Sequence, residues 1–241
     1  MQNFKRYSWQ SLAFFYAHWK GVLVLAYLPN LLPEIYYLID NEQRGDLALS
    51  LMIFPFYIMF SVAFIFYIDG QARFRQNSGP QLHRLALKFL VPYFFVIIIA
   101  TLAVLFSSLA LIIPGIYVLV KYSFITFNLL LDETGINGAF KLSWKQTKGY
   151  FWLLFSAFFV YILVPGLLSL IAEFSLQGFS FSQAANHSQA IESSNIIYLT
   201  MGTLGYIFYT LFTYQVYKDV SKKWLDDRPT KVIDTPSEII K

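Results

Sequence analysis

The chain has no cysteine among its 241 residues, and charged side chains make up only 13% of it. The absence of cysteine excludes disulfides, thiolate zinc sites, cysteine-held iron–sulfur clusters and cysteine nucleophiles. His18, His83 and His187 stand far apart with no ligand cluster around them, so no metal site is expected. No glycine-rich phosphate loop follows a strand pattern, and no serine, histidine and acid combine as a triad requires. The letters offer no catalytic residues and no cofactor site, and the chain does not read as an enzyme.

In place of charge there is apolar surface. Hydrophobic residues are 57% of the chain and aromatics 20%. An ordinary soluble domain is roughly 45–50% apolar and about 25% charged. A soluble core of this size cannot hide so much, because a large part of its surface must face water. An ordinary soluble domain, a disordered chain and a fibrous repeat are therefore excluded. The class implied is an all-α integral membrane protein.

A bilayer core of ~30 Å takes about 20 helical residues to cross. Five runs are that long: 20–39, 47–68, 89–113, 150–172 and 196–217. A sixth, 116–131, is shorter and contains Lys121. Charge placement decides whether it counts, because cytoplasmic loops collect Lys and Arg. With six spans, 16 of the 18 basic residues fall on one side. Arg44 stands alone on the other side, and Lys121 lies within a span. Omitting the sixth run would separate the 141–148 cluster from the basic tail. The expectation is six transmembrane helices in three hairpins, with both termini cytoplasmic. Residues 1–218 form the membrane domain and 219–241 a cytoplasmic tail. The run from Gly21 has no cleavage site and is read as a retained span, not a signal peptide. Pro114-Gly115 is expected to be a tight turn between spans three and four.

Ile136, Phe140, Trp144, Thr147 and Phe151 recur at helical spacing, while Lys141, Lys145 and Lys148 fall on the other face. This predicts an interfacial amphipathic helix over 137–148, with its lysines toward anionic lipid headgroups. Thr134 or Asn137 is its candidate N-cap. Three lysines beside two spans do not make a nucleic-acid surface. Similar lead-ins at 8–19 and 81–86 suggest three units, each an interfacial helix followed by a hairpin. A polar stretch, 173–195, forms the sizeable outer loop.

Lys121 is the sharpest single feature, since an ammonium at the bilayer centre costs about 2.5–3.5 kcal/mol. On an unbroken helix Tyr117, Lys121, Asn128 and Asp132 would share a face. Glu34 in span one lies at matching depth. These residues predict a polar intramembrane site of Glu34, Lys121 and Asn128, with a Glu34–Lys121 ion pair. The alternative is that both charges snorkel to the headgroups. Pro29 and Pro33, Pro55, and Pro165-Gly166 either kink their spans or break them at a substrate site. Thr200, Thr203 and Thr210, with Gly202 and Gly205, read as a helix-packing face.

One stretch has a familiar pattern. Ile113-Pro114-Gly115-Ile116, then Asp132-Glu133, then Ala139-Phe140-Lys141-Leu142-Ser143-Trp144-Lys145-Gln146-Thr147-Lys148-Gly149 resembles the YciC-like family of bacterial inner-membrane proteins. It is similar, more distantly, to the membrane domains attached to some glycerophosphodiester phosphodiesterases. The matching motif residues are Pro114, Gly115, Ser143 and Gly149. The chain departs from the pattern by placing Lys121 in a span that is ordinarily apolar. The resemblance implies a six-span inner-membrane protein without an established activity. An accessory or structural role in the envelope or in membrane-lipid organisation follows from it. A transporter or lipid-handling protein built around Lys121 and Glu34 is the alternative.

Overall fold

A computed structural model describes residues 2–27, 29, 47–73, 79–168, 170–171 and 187–226. The described residues are 92% helical and contain no strand, as the composition requires. In chain order the helices are α1 (Gln2–Val22), α2 (Leu47–Ala72), α3 (Gly79–Ala110), α4 (Ile112–Lys121), α5 (Ile125–Leu130), α6 (Gly135–Gln146), α7 (Phe151–Phe158) and α8 (His187–Asp226). Short π-helical segments succeed α1 at Leu23–Tyr27 and α7 at Phe159–Leu163.

Four stretches are long and apolar enough to cross a bilayer: Phe54–Ala72, Gly79–Leu109, Ile113–Leu130 and Phe151–Leu168. The predicted run 196–217 lies inside α8, whose 40 residues extend about 60 Å. Much of the predicted first span, Glu34 included, lies outside the described residues. Two of the four stretches turn most of their side chains outward: only 17% of Gly79–Leu109 and 11% of Phe151–Leu168 is buried. Phe106, Leu109, Ile113 and Trp152 stand exposed. Water would not tolerate so continuous an apolar surface, and hydrocarbon would. The fold is that of a helical membrane protein.

The core forms around α8. Ile207, Leu211, Phe212, Tyr214 and Val216 are all fully or almost fully buried. Phe4 and Tyr7 of α1 pack their rings on Phe212, and Phe127 of α5 packs on Tyr214 and Tyr217. The first and last helices are also tied by charge. Arg6 reaches Asp219 at 2.7 Å, and the Tyr7 hydroxyl donates to the same carboxylate oxygen at 3.0 Å.

Local chemistry explains where these helices break. The lead-in at 8–19 ends in a kink at His18, whose backbone is non-helical. The lead-in at 81–86 has no such boundary, because α3 runs unbroken for 32 residues through it. Pro55 and Pro92 sit inside continuous helices. The π-helical segments precede Pro29 and Pro165, where a proline lacks its N–H and crowds the carbonyl four residues back. A widened turn absorbs that misfit.

The reversal between α3 and α4 does not fall on Pro114-Gly115. It falls on Leu111, in extended conformation (φ −167°, ψ 147°). Pro114 instead occupies the third position of α4, in the first turn, where helix N–H groups have no intrahelical acceptor. Gly115 serves the approach of the two helices. A Cβ there would fall against Ser108 Oγ, 2.9 Å from its Cβ and 3.0 Å from its Cα. The helix interruption thus lies three residues earlier than the Pro-Gly pair, and the two helices approach closely at Gly115 and Ser108.

Candidate functional site

The stretch 112–130 is not one helix. The backbone leaves helical geometry over Tyr122–Phe124 with neither proline nor glycine to cause it. A break among buried residues strands backbone groups that water cannot reach, so something must satisfy them. Ser143 of α6 does so from both sides. Its Oγ donates to the Lys121 carbonyl at 2.7 Å and accepts from the Phe124 N–H at 3.2 Å. Thr147 Oγ1 donates in turn to the Ser143 carbonyl at 2.9 Å.

The amphipathic helix is therefore formed, as α6, but it is used differently from the expectation. Its buried residues are Ala139, Ser143 and Gln146, with Thr147 just beyond, while Trp144 stands 42% exposed. Small side chains face the protein because they allow close approach to the broken span. Lys141, Lys145 and Lys148 are exposed, on the side that the periodicity predicts. Thr134 precedes the helix without capping it; its hydroxyl donates to the Asn128 carbonyl at 3.0 Å.

Lys121 and Asn128, predicted to share a face, are separated by the break. Lys121 is 94% buried, since only 6% of it is exposed. Its Nζ lies 5.5 Å from the ring centres of both Tyr117 and Trp144. Asn128 is fully buried, and neither atom of its side-chain amide meets a hydrogen-bond partner among the described residues. Glu34, the third member of the predicted site, falls outside the described residues. Of the threonines read as a packing face, Thr203 and Thr210 are buried. Thr200 bonds to the Tyr27 hydroxyl at 3.0 Å. Gly205 faces the Tyr161 carbonyl, whereas Gly202 faces open space.

On the other side of α4, away from Lys121, lies a cavity of about 640 Å³. Ile97, Thr101 and Ser108 of α3, Leu119 of α4, Thr126 and Phe127 of α5 and Phe158 of α7 form its walls. The break contributes Tyr122 and Ser123, and α8 contributes Tyr206, Tyr209, Thr210 and Thr213. No charged residue lines it among those described. Its polar groups are neutral hydroxyls, two of which pair: Ser123 Oγ and Tyr209 OH lie 3.0 Å apart. Thr213 Oγ1 donates to the Tyr209 carbonyl at 2.7 Å, which fixes the base of that wall.

Size and lining define what can enter. The volume falls within the range of small-molecule pockets, about 300–1,000 Å³. Apolar walls favour a hydrocarbon chain, and isolated hydroxyls can bond an uncharged ester or alcohol oxygen. An ionised group would find no countercharge there and would lose its hydration.

No family model, curated protein or solved structure matches the chain. The cavity and its chemistry are the ground on which function is argued.

Sequence reasoning passes over this site. The signals are Ser123 and Thr126, three apart, and Tyr206, Tyr209, Thr210 and Thr213, all on one helical face. The second set continues the threonine stripe read as packing. Its lower half faces empty space instead.

Proposed function

We propose that the chain is a non-catalytic, multi-pass protein of a bacterial inner membrane, with an accessory role in membrane-lipid organisation. It acts by holding the apolar chain of a lipid in the 640 Å³ cavity. The observation that carries this reading is the lining itself: apolar walls and uncharged hydroxyls, with no charged residue among the described ones that form it. The likeness to the YciC-like family supports the inner-membrane placement. The Arg6–Asp219 contact, at 2.7 Å, suits an even number of spans, six in this reading, because it brings the first and last helices together on one side. The exposed stripe of Lys141, Lys145 and Lys148 suits the anionic headgroups of the cytoplasmic leaflet.

The test is a lipid profile of cells with and without the chain, and of cells carrying Ala100→Trp. Ala100 lines the cavity on α3. The indole fills empty space and leaves the helix pairing intact. The expected result is an altered profile without the chain, restored by the wild type and not by Ala100→Trp. An unaltered profile, or full restoration by Ala100→Trp, overturns the proposal.

A further inference from the structure

Lys121 lies on the opposite face of α4 from the cavity and takes no part in it. Its charge is nonetheless held firmly in place. The side chain is 94% buried, and its backbone carbonyl is pinned by Ser143. Among the described residues no carboxylate comes within ion-pair distance of it. Two aromatic rings stand over the ammonium at 5.5 Å each. Cation–π attraction stabilises the charge by about 0.5–2 kcal/mol per ring but leaves the N–H donors of the ammonium unfilled. The framing rings open outward, Tyr117 being 41% and Trp144 42% exposed.

We infer that Lys121, Tyr117 and Trp144 form a binding site for the phosphate of an anionic phospholipid headgroup. Two features favour this occupant together. A buried cation without a described countercharge favours an anion. Exposed tyrosine and tryptophan rings are suited to the headgroup level of a bilayer. The site is independent of the cavity reading, since it uses a different face of the helix and a charged ligand.

The experiment uses full-length protein in nanodiscs of phosphatidylcholine containing a minor fraction of phosphatidylglycerol, with lipid retention counted by native mass spectrometry. Wild type, Lys121→Gln, Lys121→Arg and Glu34→Gln are compared. Lys121→Gln removes an uncompensated buried charge, so loss of folding is not expected from it. The prediction is one phosphatidylglycerol retained preferentially by the wild type and by Lys121→Arg. Lys121→Gln should weaken that retention about fivefold to tenfold, the loss expected for one lysine–headgroup contact. Glu34→Gln should leave it unchanged or raise it. Equal retention by wild type and Lys121→Gln overturns the proposal. So does a destabilised Glu34→Gln protein that is rescued by Lys121→Gln, which would make Glu34 the partner of Lys121.

Discussion

Ser143 bridges the gap that opens after Lys121. One hydroxyl accepts from the N–H on one side of the break, at 3.2 Å, and donates to the Lys121 carbonyl on the other, at 2.7 Å. Helix α6 thus completes a transmembrane segment that could not complete itself. Ser143→Ala leaves two buried backbone groups without partners. It should lower stability by about 1–2 kcal/mol, read from denaturant titration in detergent. Ser107→Ala is the control. That hydroxyl donates only to the carbonyl four residues back in its own helix, so its loss should cost well under half as much.

Two glycines of α8 should behave oppositely. A Cβ at Gly205 would run into the Tyr161 backbone carbonyl, with Pro165 Cγ 3.6 Å away. A Cβ at Gly202 meets nothing within 4 Å. Gly205→Ala should cost about 1–3 kcal/mol through overpacking. Gly202→Ala should be neutral or stabilising by up to about 1 kcal/mol, since alanine is the better helix former. Thermal unfolding of the two variants side by side checks the contrast.

Burial, and then the Asp219 carboxylate that it bonds, raise the Tyr7 phenol above its ordinary value of 10.0. The unfolded chain therefore loses that proton before the folded one does. The contribution is complete below about pH 10 and is lost as pH rises through the higher folded-state value. Stability should fall on the alkaline side, and Tyr7→Phe should flatten that fall. A Tyr7→Phe protein with the wild-type alkaline slope would show that Tyr7 does not set it.

Much of this is open to the sequence. Helical class, several of the apolar segments and the exposed lysines of α6 come from composition, periodicity and charge placement; the turn expected at Pro114-Gly115 falls at Leu111 instead. The break at Tyr122–Phe124 does not, because no proline or glycine marks it. Its cause lies about twenty residues away in Ser143, a contact that no local pattern encodes. The buried stripe of α6 is also shifted by one position from the expectation. Hydrophobicity picks Phe140 and Trp144, but close helix contact selects Ala139 and Ser143. The cavity is least legible of all. It is an absence of atoms among several helices, and each hydroxyl on its wall looks alone like ordinary helix packing.

If the cavity holds a lipid chain, that lipid should leave the membrane with the purified protein. Wild-type protein and Ala100→Trp should be purified in detergent alike, extracted, and their lipids counted per chain by mass spectrometry. About one more tightly held lipid per chain is expected in the wild type than in an equally stable Ala100→Trp variant. The same lipid count in both proteins would contradict a lipid-holding cavity.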